Sequence, residues 1–313
     1  MRTRGLLIRI LISVVLIAVL LSRIDGGRVF DILGSASPYR LITAFLFYLL
    51  TYFIITARWA VLLYFQGHRI PFFQLFSYYL IGFFFSNFIP TGIGGDVARC
   101  IYLSKGSSVP EFFTASVLVE RLLGLVATTI IAVLSLPLSD FPTGTKWTVL
   151  ALAISLWALF IILIIPRSNR LVRKITAIIP GKKVKGFADE VIHSFSLFRF
   201  QSLLFGFIFS LLYQFSLILF FFLVGRALNI ELSLYNYLAF LPVIWIVGLL
   251  PLSINAIGVR EAGFAWMFTA LGKEPSSGFA NSIVGFLIAL VASLSGGLLF
   301  VLKGKLKQGG SNK

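Results

Sequence analysis

Ile89-Pro90-Thr91-Gly92-Ile93-Gly94-Gly95-Asp96, followed by Arg99, interrupts one apolar segment of this chain. Leu250-Pro251-Leu252-Ser253-Ile254-Asn255-Ala256-Ile257-Gly258-Val259-Arg260-Glu261 interrupts another in the same manner. In both, a proline stops or kinks a helix, because it has no N–H and its ring clashes one turn back. Small residues that tolerate tight backbone follow, and then a carboxylate and an arginine. Exposed backbone amides cannot face hydrocarbon, so both stretches must be buried in protein or line a wet cavity. Broken hydrophobic segments at corresponding places in two halves point to a transporter site near the bilayer midplane.

The surrounding sequence supplies the membrane. Of 313 residues, 58% are hydrophobic and only 12% charged, and the mean hydropathy is +0.99. A soluble domain is about one quarter charged, so the expected class is an all-α polytopic membrane protein. Crossing a ~30 Å hydrocarbon core takes about 20 apolar residues. Six runs meet that need, near 5–22, 40–63, 112–136, 146–166, 200–224 and 279–302, and two more, 72–90 and 236–250, end in the broken motifs. Arg2, Arg4 and Arg9 before the first run resemble a signal-peptide start, but Ser22-Arg23-Ile24-Asp25 is a poor cleavage site, so an uncleaved helix is expected. The chain reads as one membrane domain over 1–313, with a basic cytoplasmic loop at 167–199 and a basic tail at 303–313.

Charge orients these runs. The N-terminus, the 58–71 turn, the 99–111 stretch, the 167–199 loop and the C-terminal tail hold 19 of the 27 Lys and Arg residues. These regions should face the cytoplasm, which places both termini inside. Residues 72–104 then enter and leave on the inner side, and 236–272 enter and leave on the outer side. This parity turns the two broken segments into opposed re-entrant helical hairpins beside six full transmembrane helices. The alternative is a pair of ordinary kinked spans.

The net charge of +16 is explained by cytoplasmic loops resting on anionic headgroups, not by nucleic acid. One cysteine, Cys100, excludes an intrachain disulfide, and His68 and His193 form no metal-ligand cluster. No cofactor is expected. There is no Gly-x-Ser-x-Gly, no His-Glu-x-x-His and no Gly-Lys-Ser/Thr after the Gly-rich stretch, so hydrolase, zinc-protease and nucleotide P-loop chemistry find no support.

The residues that could carry chemistry are few. A helix restarting near Asp96 would point its first amides into the cavity with partial positive charge, suited to a phosphate or carboxylate. The plainer reading makes Asp96 an N-cap and Arg99 a headgroup contact. Glu120-Arg121 lies ~12 Å into its run, a depth at which an ion pair must face protein. Its expected partners are Arg99 or Arg260 for Glu120, and Asp96 or Glu261 for Arg121. Arg260 and Glu261 project about 100° apart on a helix and are expected to seek partners elsewhere. Asn87 and Asn255 could line the cavity. Arg58-Trp59 reads as an interfacial anchor. A purely structural ion network is the competing account of all these charges.

Three motifs carry a resemblance. Asn87-Phe88-Ile89-Pro90 with Gly94-Gly95-Asp96-Val97-Ala98-Arg99, then Glu120-Arg121-Leu122-Leu123-Gly124-Leu125, then Gly258-Val259-Arg260-Glu261-Ala262-Gly263 resemble the lysylphosphatidylglycerol synthase transmembrane region, a flippase-like membrane domain family. The resemblance covers nearly the whole chain. It implies a translocase that moves a phospholipid or polyprenyl-linked headgroup across the plasma membrane. The substrate-binding candidates are Asn87, Gly94, Gly95, Asp96, Arg99, Glu120, Arg121, Asn255, Gly258, Arg260 and Glu261. Relatives that make aminoacylated phosphatidylglycerol carry a soluble synthase domain after the membrane part. This sequence ends at Lys313 after a basic tail, so lysyltransferase activity is not expected. The alternative is an intramembrane enzyme or accessory subunit in aminoacyl-phosphatidylglycerol or lipid-linked glycan metabolism. The expected partners are membrane lipids and no nucleic acid, with a homo-oligomer left open.

Overall fold

A computed structural model describes residues 2–88, 94–104, 109–164, 186, 190–191, 193–249 and 253–309. Pro90 to Ile93, Pro251, Lys105, and residues 167–185 of the basic loop lie outside these described residues. Every regular element among them is helical: α1 (Arg2–Arg23), α2 (Gly26–Gly34), α3 (Pro38–Tyr64), α4 (Phe72–Phe88), α5 (Gly94–Ser104), α6 (Pro110–Ser135), α7 (Thr143–Ile164), α8 (Phe200–Ala227), α9 (Leu234–Leu249), α10 (Val259–Ala270) and α11 (Pro275–Gly309). Short 3₁₀ turns follow α6 and precede α10.

Among the described residues, four helices are long and apolar enough to cross a membrane, at four of the six expected runs: Pro38–Tyr64, Pro110–Leu138, Phe200–Ala227 and Pro275–Leu302. Their starts follow local chemistry. Pro38 and Pro110 open α3 and α6 at the first helical turn, where a missing N–H has no cost. The segment between α1 and α3, read from sequence as a loop, contains the nine-residue helix α2. Its N-terminus is capped by Asp25, whose side chain accepts from the Arg28 N–H at 3.2 Å.

Two helix pairs run antiparallel and flank the broken motifs. In the first, Tyr78 of α4 stacks on Tyr102 of α5 with ring centroids 5.3 Å apart. Nearer the break, Gly95 lies against Gly82 so closely that a Cβ on Gly95 would sit 2.3 Å from the Gly82 carbonyl oxygen. Only glycine permits that approach. His68, before α4, meets the rings of Phe112 and Phe113, after α5, so both ends of this pair lie together. In the second, Phe240 of α9 stacks on Trp266 of α10 with centroids 4.9 Å apart. Residues 228–231 before α9 and Lys273, Glu274 and Ser277 after α10 line one cavity of about 540 Å³. The entry and exit of the second pair therefore also adjoin.

The core joins these pairs to the long helices. The largest buried cluster runs through α3, α8, α9, α10 and α11, with Tyr52, Phe220, Tyr237, Phe264 and Phe268 almost wholly enclosed. A second cluster holds Trp59, Leu63, Leu75, Tyr79 and Phe113 between α3, α4 and α6. Inside a bilayer the outer faces need no polar coat. Leu46, Leu134, Phe200 and Leu298 are accordingly exposed on the long helices.

Candidate functional site

The first charged centre forms where α4–α5 meets α3, α6 and α8. Glu120 points from the third turn of α6 into protein and is fully buried. One of its oxygens, Oε1, accepts from Nε and Nη2 of Arg58 at 3.0 and 2.8 Å and from the Tyr79 hydroxyl. The other, Oε2, accepts from Nη1 of Arg99 at 3.0 Å. Arg99 reaches on through Nη2 to Asp96, and the second Asp96 oxygen meets Arg121. The order is Arg58, Glu120, Arg99, Asp96, Arg121: three cations alternating with two carboxylates, for a net charge of one positive.

Aromatic and hydroxyl groups complete this centre. The Arg99 guanidinium lies 4.1 Å from the Tyr79 ring centroid and 5.0 Å from that of Trp59, a cation–π setting that compensates lost hydration. The Arg58 guanidinium lies 5.3 Å from the Tyr213 ring, and its Nη1 reaches Ser210 at 3.5 Å. Trp59 Nε1 donates to Ser116 at 3.0 Å. A buried charge persists only when paired and hydrogen-bonded, and Glu120, Arg58 and Arg99 meet that requirement with one another. Side-chain exposure rises outward along the chain of charges, from 1% at Glu120 through 19% at Asp96 to 44% at Arg121. Arg121 is thus the member of this centre most open to a ligand.

The expected pairing of Glu120 with Arg99, and of Arg121 with Asp96, is what the structure contains. Two other expectations are corrected. Arg58-Trp59 is not an interfacial anchor, since both side chains are buried and polar-bonded within the first centre. The buried stripe of α3 includes Tyr48, Thr51, Tyr52, Ile55, Arg58, Trp59 and Leu62, a helical period that aims Arg58 inward. That stripe was the available signal. The presence of Arg58 near the end of a long run suggested snorkelling instead.

The second correction concerns Arg260 and Glu261, which pair with each other. Glu261 folds back over the start of α10 to accept the Gly258 N–H at 2.6 Å. This reciprocates the positive end of the helix and carries Oε1 toward Arg260. Arg260 Nε then donates to Oε1 at 3.0 Å and to Ser282 of α11 at 3.2 Å. Its guanidinium lies 4.3 Å from the Phe286 ring. The flexible arginine arm bridges the angular gap that the helix imposes. Gly258 holds φ at +87°, a conformation costly for any side chain with a Cβ.

The other expected residues have definite places. Asn87 is half-buried near the end of α4, and Gly94 and Gly95 open α5. Asp96 sits in the first turn of α5, with its side chain given to arginines. Asn255 and Ala256 adopt left-handed backbone, with φ of +49° and +57°, in the short turn that precedes α10. Of the expected site residues, ion pairs join Asp96, Arg99, Glu120 and Arg121 in one centre and Arg260 with Glu261 in another. Among the described residues, no group of three or more His, Cys, Asp or Glu could hold a metal ion.

Comparison with known proteins accords with the architecture. A curated UPF0104 membrane protein of Methanocaldococcus jannaschii is 32% identical over 118 residues. The aligned region covers 37% of this chain and 35% of that protein, so the match spans about a third of the relative's length. No solved structure matches. The family described as the Lysylphosphatidylglycerol synthase TM region matches residues 6–296. A multi-pass helical membrane protein with this motif order and this extent of match belongs to the lysylphosphatidylglycerol synthase transmembrane-region family.

Proposed function

We propose that this protein is a lipid translocase of the plasma membrane and not an enzyme. Its substrate would be a phospholipid or a polyprenyl-linked lipid. The carrying observation is the first charged centre: a buried alternation of ions with one cation in excess, ending at a half-exposed arginine. Such a cluster supplies a lipid phosphate with positive charge and bidentate donors while the apolar tail remains in the bilayer.

The antiparallel course of α4–α5 and α9–α10 supports the reading of both as re-entrant hairpins. Each returns near where it began. The first carries Asp96 and Arg99 just after its break, and the second carries Arg260 and Glu261. With both termini in the cytoplasm, the hairpins enter from opposite faces. This is an inverted arrangement suited to alternating access. Arg121 is the first choice for phosphate contact, because Arg99 is engaged at both ends of its guanidinium and Arg260 is held by Glu261 and Ser282.

The test is reconstitution of the purified protein in liposomes carrying a fluorescent phospholipid in both leaflets. Dithionite bleaching then reads lipid movement. Wild-type protein is expected to expose the inner-leaflet pool, and Arg121→Ala to lose at least about tenfold in rate, the scale of one charge-assisted contact. A wild-type rate equal to that of empty liposomes would rule out scrambling of that lipid. Covalently altered lipid in the mass spectrum would instead favour an intramembrane enzyme.

A further inference from the structure

The first charged centre divides along a line that leaves no buried ion alone. Asp96, Arg99 and Tyr79 belong to the α4–α5 pair, whereas Arg58 belongs to α3, and Glu120 and Arg121 to α6. If α4–α5 moves away, Asp96 and Arg99 leave together as a neutral pair. Glu120 keeps both hydrogen bonds from Arg58, so the frame also retains a neutral buried pair. Glu120 loses its bonds from Arg99 and Tyr79 but keeps a counter-ion, and the single charge left without one is Arg121, which is the exposed one at 44%. Arg58, the member absent from the sequence motifs, makes this division possible. Without it, departure of Arg99 would strand a carboxylate in the protein interior, at a prohibitive cost.

We propose that Arg121 is an exchange position, at which a phosphate group displaces Asp96 and releases the α4–α5 pair from α6 as a neutral unit. The inference rests on the translocase reading and adds to it the ligand chemistry and the moving part. A phosphate oxygen can accept from the same guanidinium edge that Asp96 occupies, so the swap keeps the number of charge-assisted bonds at Arg121. The ligand must carry an anionic phosphate. Neutral glycerolipids lack the competing oxygen and should not trigger the exchange.

Cys100 provides the readout. It is the chain's single cysteine. It lies on α5, partly buried and next to Thr114 of α6, so separation of α5 from α6 exposes it. The rate of N-ethylmaleimide labelling would be measured on the purified full chain in neutral detergent micelles. The additions are phosphatidic acid, diacylglycerol with the same tails, or inorganic phosphate. Phosphatidic acid is expected to accelerate labelling about tenfold, with diacylglycerol inert. Asp96→Asn should label fast without any lipid. Arg121→Gln should also label fast without lipid and no longer respond to phosphatidic acid. Thermal melting and gel filtration of each variant separate exchange from unfolding. Arg121→Lys, which keeps the charge, should restore part of the response.

Equal acceleration by inorganic phosphate supports the exchange with free phosphate as ligand. No acceleration by either, or an unchanged response in folded Arg121→Gln, overturns the proposal. Lipid scrambling with indifferent Cys100 labelling would sink the exchange and leave the translocase standing. Phosphate-dependent labelling without scrambling would do the reverse.

Discussion

Burial decides which charges matter at the scale of single residues. Arg28 and Glu274 form an ion pair at 2.9 Å, close to the 3.0 Å between Arg99 and Glu120, but their side chains are 55% and 56% exposed. Water and salt screen such a pair, so Arg28→Ala should leave the melting temperature in detergent nearly unchanged. Glu120 is the opposite case. Its removal leaves Arg58 and Arg99 buried without their shared counter-charge. We expect Glu120→Gln to destabilise the protein by ~3–5 kcal/mol, the range for breaking a buried ion pair. A thermal-shift series in detergent that found Glu120→Gln and Arg28→Ala equally mild would refute the central place given to Glu120.

At the scale of elements, the antiparallel pairs depend on backbone contact. The α4–α5 crossing brings Gly95 onto Gly82 with no room for a side chain. Gly95→Val should force these helices apart and carry Asp96 and Arg99 out of reach of α6. The expected result is loss of a monodisperse gel-filtration peak, or a strong rise in Cys100 labelling in whatever folded fraction survives. Retention of wild-type melting and labelling would mean that the crossing is looser than described. The break before α10 works differently. Two successive left-handed residues, Asn255 and Ala256, precede α10, and the Gly258–Glu261 bond then starts the new helix. Pro90 and Pro251 predict breaks at these places, and both prolines lie outside the described residues. The turn geometry that follows proline is set by local backbone conformations, which composition alone does not specify.

At the scale of the whole molecule, the opposed hairpins predict sidedness. In a background with Cys100→Ser, single cysteines replacing Gln66 and Glu111 should react with impermeant reagent from one side of the membrane. Replacements of Glu231 and Lys273 should react only from the other side. Labelling of Gln66 and Glu111 positions from opposite faces would make α4–α5 an ordinary kinked span and dissolve the inverted arrangement.

Much of this protein was determined by sequence alone. Apolar run length marked the four helices near 40–63, 112–136, 200–224 and 279–302 that are long and apolar enough to span, because hydrocarbon has a fixed thickness and an unpaired backbone is excluded from it. The depth of Glu120 required that it face protein. Arg99 as a partner of Glu120, and Asp96 as the partner of Arg121, could be inferred because few opposite charges exist at membrane depth. Only the tertiary structure decided that Arg58 turns inward and that Arg260 and Glu261 hold each other. It also decided which arginine of the first centre remains open. Those outcomes depend on helix rotation and on the reach of flexible side chains. Neither quantity is encoded in a hydrophobic pattern, and each is settled when neighbouring helices pack.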